Sequence, residues 1–280
     1  MYYDKKIKRI GLFDSGIGGL TVLKELLNLP MTDYVYVADT ANIPYGQKTA
    51  KQILQYSQSI AAFLVTQKID ALVIACHTSS AVTLAHLQQT FPLLPIIGTI
   101  NETMLYATKQ TSNKRIGIMA TQATINSHMH KRKLLTVNPE LEVFEVACPQ
   151  LVPLIEAPLL DVQQIERVLR EYLTPLMQTG IDTLILGCTH YPLITHEIKK
   201  IVGDAITIVS SEKIIAQTLF HQSAISTEAR NIACHVTGDA SNFAQKAHAI
   251  LGHSITVQQL DIHGHPQSMV ESPVNLGNTV

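Results

Sequence analysis

The chain reads as an α/β fold of two lobes related by a pseudo-twofold axis, each a doubly wound parallel sheet, with the active site in the cleft between them. Three observations carry this reading. Short apolar runs rich in β-formers alternate with longer helical patterns. The runs are continuously apolar rather than alternating, as strands are when helices cover both faces of a sheet. The pattern also repeats: Lys8-Arg9-Ile10-Gly11-Leu12-Phe13 returns as Lys114-Arg115-Ile116-Gly117-Ile118-Met119, and Leu72-Val73-Ile74-Ala75-Cys76 is echoed by Leu184-Ile185-Leu186-Gly187-Cys188. Buried strands of similar composition resemble one another anyway, but two matched pairs at nearly equal spacing favour two lobes of one topology.

In chain order, strands are expected at 9–13, 34–38, 71–76 and 95–98 in the first lobe. They are expected at 115–119, 141–147, 183–188 and 206–209 in the second. The junction falls near 99–102. After Ser210, Ile214, Ile215 and Leu219 recur at helical spacing. A further strand is expected at 235–237, then Gly238-Asp239 and a helix reaching Leu251, a segment that crosses back to the first lobe. The lobes are therefore 1–100 plus 211–261, and 101–210. Residues 262–280 turn polar and rich in Gly, Pro, Ser and Asn, and read as a flexible tail.

Composition narrows the function. At 280 residues the chain is long enough for large cores without disulfides. With 46% hydrophobic and 15% charged residues it is an apolar, folded chain rather than a disordered one. A net charge of −1 gives no electrostatic reason for nucleic-acid or membrane-surface binding. The densest basic run, Lys131-Arg132-Lys133, reads as a solvated helix face. Gln67, Lys68 and Asp70 interrupt the longest apolar stretch well short of the ~18 residues of a membrane span. The apolar run after Lys5, Lys6, Lys8 and Arg9 breaks at Asp14-Ser15-Gly16, unlike a signal peptide. Four widely spaced cysteines then read as reduced thiols of a cytoplasmic protein.

Cys76 and Cys188 each end a predicted buried strand, where open α/β sheets bind their ligands. A cysteine at a strand-to-helix turn also faces the positive end of the helix dipole, which is expected to lower its pKa. Buried cysteines are commonly small core hydrophobes, and the matched placement of these two is what favours a function. Cys148 and Cys234 lack that symmetry and read as structural. The turn Asp14-Ser15-Gly16-Ile17-Gly18-Gly19 offers either N–H groups for an anion or a tight turn with Asp14 capping the next helix. It is not a dinucleotide fingerprint, because Thr21 stands where the third small residue belongs. His190 and His77, close behind the two cysteines, could aid proton transfer or simply be structural. Metal-ligand spacing is absent, so no metal is expected.

These residues resemble the cofactor-independent glutamate racemases. The resemblance rests on residues 10–22, Asp39-Thr40, Pro44-Tyr45-Gly46, residues 71–78, Thr121-Gln122-Ala123-Thr124, Ala147-Cys148-Pro149 with Pro153-Leu154-Ile155-Glu156, residues 186–192, and Thr237-Gly238-Asp239. It spans residues 8 to about 252 in order, and the Asp-Ser-Gly-x-Gly-Gly and Gly-Cys-Thr-His-Tyr-Pro runs are its most specific parts. It implies inversion at Cα by two thiols on opposite faces of glutamate, with no cofactor. Cys76 would deprotonate the D-enantiomer and Cys188 the L-enantiomer. Asp14 and His190 would assist the two thiols, with Glu156 a helper near the second. Ser15, Tyr45, Gly46, His77, Thr78, Thr121, Thr124 and Thr189 match substrate-binding positions, together with Asp14 and His190.

The sequence departs from that pattern at three places. His77 replaces an Asn, His128-Met129-His130 a Gly-Ala-Tyr, and Ser210-Ser211-Glu212 an Asp-Ser-Ala. A cationic His77 beside an anionic substrate would make the Michaelis constant sensitive to pH. The resemblance also implies a supply of D-glutamate for peptidoglycan and a homodimer as the assembly to expect. Some family members interact with DNA gyrase, although nothing in this near-neutral sequence predicts it. An aspartate racemase and a weakly active binding or regulatory protein on the same fold are the alternatives.

Overall fold

The computed structural model describes residues 7–28, 33–220, 231–261 and 266–269. The first sheet comprises β1 (Arg9–Asp14), β2 (Asp33–Ala38), β3 (Ala71–Ile74) and β4 (Ile96–Gly98). The second comprises β5 (Arg115–Ala120), β6 (Glu142–Ala147), β7 (Thr183–Gly187) and β8 (Thr207–Val209). β9 (Ile232–Val236), β10 (Val257–Leu260) and β11 (Pro266–Met269) then extend the first. The helices are α1 (Gly19–Leu26), α2 (Ala50–Thr66), α3 (His77–Thr90), α4 (Asn101–Gln110), α5 (Gln122–Ser127), α6 (Met129–Val137), α7 (Leu151–Glu156), α8 (Val162–Gln178), α9 (Thr195–Val202), α10 (Glu212–Phe220) and α11 (Ala240–Leu251). Among the described residues no helix is long and apolar enough to cross a membrane.

The order β2-β1-β3-β4 in one sheet and β6-β5-β7-β8 in the other is the same topology written twice. The registers match too: Gly11 pairs with Leu72, and Gly117 with Leu184. Both glycines are required by close approach. A Cβ at Gly11 would lie 2.7 Å from Ile69 Cδ1, and one at Gly117 would lie 2.6 Å from Ile181 Cδ1. The repeated Arg-Ile-Gly strand therefore repeats a packing constraint as well as a composition.

All strand pairs are parallel except β10 with β11. That antiparallel strand, at 266–269, lies within the stretch read as a flexible tail. Backbone pairing needs no apolar side chains, so composition did not reveal it. The rest of 262–280 lies outside the described residues, as do Lys5 and Lys6.

Each sheet is covered on both faces. α1, α10 and α11 seal one face of the first through Leu20, Leu23, Leu219 and Phe243, and α2 and α3 seal the other through Ile60, Leu64 and Leu87. In the second sheet α7, α8 and α9 bury Leu151, Leu169 and Ile198, while α4 and α6 bury Met104 and Leu134. Each fully buried Leu or Ile contributes about 1.5–3 kcal/mol. These covers leave the carboxyl ends of the strands free to build a site.

Candidate active site

β3 ends at Ile74, and Cys76 then caps α3, its Sγ accepting from the Ser79 N–H at 3.5 Å. In the other lobe Cys188 directly follows β7 and leads into the short 3₁₀ turn Tyr191–Ile194. Equivalent strands thus deliver one thiol each to a single narrow cavity, whose wall also includes Ser15, Tyr45, Gly46, His77, Thr78, Thr121, Thr189 and His190. Its volume of about 10 Å³ is room for about one water molecule. The thiol-bearing residues are 5% and 6% exposed, so both are nearly sealed from solvent. Asp14, Glu156 and Thr124 stand behind the wall and hydrogen-bond to residues that line it.

On the Cys76 side the thiol donates toward Ser15 Oγ at 3.9 Å. Asp14 is fully buried, accepting from the Gly16 N–H at 2.8 Å and the Thr189 hydroxyl at 2.9 Å. Burial pushes Asp14 up against the opposing pull of His190. Burial, then the nearby Asp14 carboxyl, push the Cys76 thiol up to about 12. The helix N-terminus was expected to lower it; desolvation outweighs the dipole here. Thr78, Thr121 and Thr124 form a triangle of hydroxyls at 2.9–3.0 Å that ties α3 to the start of α5. Tyr45 donates to Asp39, which also accepts from Asn42 and Thr237 and so anchors the loop before α2.

The Cys188 side is ionic. The Cys188 Sγ lies 3.8 Å from His190 Nδ1, and His190 Nε2 lies 2.8 Å from Glu156 Oε1. Glu156 Oε2 is 3.0 Å from Lys246 Nζ, which also donates to the Glu156 carbonyl at 2.6 Å. Burial alone would lower His190, but its bonds to Cys188 and Glu156 raise it to about 10. Burial likewise works against Glu156, yet His190, the Ile17 N–H and Lys246 hold it at about 2.

This geometry decides between the two readings of the glycine-rich turn. Its N–H groups are occupied by the protein's own carboxylates: Gly16 donates to Asp14, and Ile17 to Glu156 at 3.0 Å. A Cβ at Gly16 would lie 2.4 Å from Glu156 Oε1, and one at Gly18 would lie 2.6 Å from His190 Nδ1. The glycines admit the second lobe's ion pair.

The family model for Asp/Glu/hydantoin racemases matches residues 23–219. The glutamate racemase of Carboxydothermus hydrogenoformans is 35% identical over 267 residues, covering 92% of this chain and 98% of that one. The chain belongs to the glutamate racemase family. The solved glutamate racemase of Bacillus anthracis, 35% identical, superposes with a TM-score of 0.87 over 92% of this chain and 99% of its own. That of Francisella tularensis, in complex with D-glutamate, is 31% identical, with a TM-score of 0.84 and coverage of 92% and 99%.

Against the glutamate racemase pattern, the departures in sequence meet in pairs. His77 Nδ1 is 2.9 Å from His130 Nε2, the two rings stack, and His77 Nε2 is 3.0 Å from the pattern's own serine, Ser211. Ser210 donates to Glu212 Oε1 at 2.6 Å. Burial, then the charge of His130, push His77 well below its ordinary value, and burial lowers His130 to about 4. Burial thus works against a charge on His77, where a cationic group was expected beside the substrate: a ring sealed among protein groups loses the solvation that a charge needs.

Lys246 and the partnership of His77 with His130 were not foreseen. Lys246 sits in an ordinary helical stretch, Ala244-Gln245-Lys246-Ala247-His248, which carries no local signal. The two histidines were both noted as departures, and that they change together was the available clue.

Proposed function

We propose that the cavity interconverts L- and D-glutamate by moving the Cα proton between two thiols. The observation that carries this is the pair Cys76 and Cys188, set at the ends of equivalent strands and facing one enclosed cavity. Opposed placement lets one sulfur remove the proton while the other donates to the opposite face. A single thiol would return the proton to the face it left. Cys188 is the base toward L-glutamate, with the His190 imidazolium as counter-charge to its thiolate. Cys76 is the base toward D-glutamate, with Asp14 and Ser15 beside it.

An amino-acid Cα–H is far less acidic than a thiol, so the developing carbanion needs fixed donors in a water-free site. The first amino-terminal N–H groups of α3, beside Cys76, are suited to that task. The cavity is smaller than the substrate, so the lobes part to admit it and close for the chemistry. Glutamate rather than aspartate is favoured by the named relatives, and D-glutamate made in this way would serve peptidoglycan synthesis in the cytoplasm.

Proton NMR of Cα exchange in D₂O tests the reading. Wild type is expected to incorporate deuterium with inversion from either enantiomer of glutamate, and Cys76→Ala and Cys188→Ala to lose it. Faster turnover of aspartate than glutamate would overturn the substrate, and inversion retained by either variant would overturn the two-thiol mechanism.

A further inference from the structure

We infer that Lys246 is a positioning residue for the Cys188 half of the site, reaching from α11 in the first lobe to clamp the carboxylate that orients His190. The inference rests on the two-thiol reading above. α11 packs on the first sheet through Phe243, Ala247 and Leu251, whereas Glu156 ends α7, which packs in the second lobe's core. Lys246 Nζ bridges the two by gripping both the Glu156 carbonyl at 2.6 Å and Oε2 at 3.0 Å. The carbonyl at the end of α7 lies among those that a helix leaves unsatisfied, so one ammonium caps the helix and fixes its last side chain.

The clamp divides the labour of the carboxylate. With Oε2 held by Lys246, Oε1 is left to the Ile17 N–H at 3.0 Å and to His190 Nε2 at 2.8 Å. His190 in turn presents Nδ1 to Cys188 at 3.8 Å. The charged and titratable groups around this chain are His190, Lys246 and the more distant Tyr36 about Glu156, and Cys188, Glu156 and Asp14 about His190. Lys246 is the second cation on Glu156. Removing it leaves the carboxylate free to turn and easier to protonate, and weakens the anion that keeps the imidazolium charged next to Cys188.

The test is site-resolved alkylation by iodoacetamide, read by mass spectrometry as a function of pH, together with racemisation kinetics. Lys246→Met is expected to lower kcat about tenfold, the scale of one lost charge-assisted hydrogen bond, with KM unchanged. The pH profile of Cys188 alkylation is expected to shift, while that of Cys76 stays where it is and reports an intact fold. Lys246→Arg is expected to restore both. An unmoved Cys188 profile, or equal shifts at both cysteines, would overturn the role of Lys246. Cys188→Ala, run alongside, separates the two failures: inversion retained in that variant overturns the two-thiol reading itself.

Discussion

The two halves of the site share a topology and differ in electrostatics. β1-β3 and β5-β7 present their cysteines from the same register. Yet burial, and after it the nearby Asp14 carboxyl, push the Cys76 thiol up to about 12, while Cys188 lies 3.8 Å from an imidazole raised to about 10. A two-base racemase needs one sulfur protonated while the other is not. In this protein the pseudo-symmetric fold brings one thiol from each lobe to the cavity, and the neighbours of the two thiols differ. The Thr189 hydroxyl, which belongs to the Cys188 side but donates to Asp14 on the other, joins the two environments.

The largest effect should come from removing either sulfur. Cys76→Ala and Cys188→Ala are each expected to cut racemisation by about 10²–10⁴-fold, the usual range for a lost general acid or base. A smaller loss in one of them would break the equivalence of the halves. His190→Ala should follow at about 10²-fold, with a normal Cys76 alkylation profile showing that the damage is confined to one side.

Stability against pH should separate the halves by sign. His77 and His130 have folded values below 6.5, so the unfolded chain takes up protons first as pH falls. Stability should therefore decline below about pH 6.5, by about 1.4 kcal/mol per pH unit for each histidine, levelling for His130 near its value of about 4. The double change His77→Asn with His130→Tyr should flatten that decline in urea unfolding. His190 has the opposite sign: its contribution is complete below 6.5 and is lost as pH rises toward about 10.

Thr189→Val leaves one Asp14 oxygen without its donor and should cost about 1–3 kcal/mol of stability at neutral pH, measured by the same unfolding curves. The smallest effect is expected at His77. Because burial holds the ring well below its ordinary value, pH profiles of KM for wild type and His77→Asn should superimpose between about pH 6 and 8. Divergent profiles would restore a charge to that side of the site.

The parts of this protein legible in the sequence are those written in local pattern. Continuous apolar runs marked the strands, because a strand buried on both faces leaves no polar alternation. The repeat of Arg-Ile-Gly and of the two cysteine-ended strands marked the duplicated topology, because the same glycine is needed where a helix-proximal isoleucine crosses each strand. The motifs around Asp14, Cys76 and Cys188 marked the cavity, since their spacing places each at a strand's carboxyl end.

Tertiary structure alone decided the charges. Whether a histidine is an imidazolium depends on burial and on partners brought from distant segments: His130 and Ser211 for His77, Glu156 for His190. The turn after β1 has the composition of an anion cradle, and only the approach of α7 revealed that its anion is Glu156. Lys246 has no sequence signature because its function is a distance, 3.0 Å across the two lobes. Periodicity and motif are properties of neighbours along the chain, while protonation belongs to neighbours in space, and the fold must bring those together before the site acquires its asymmetry.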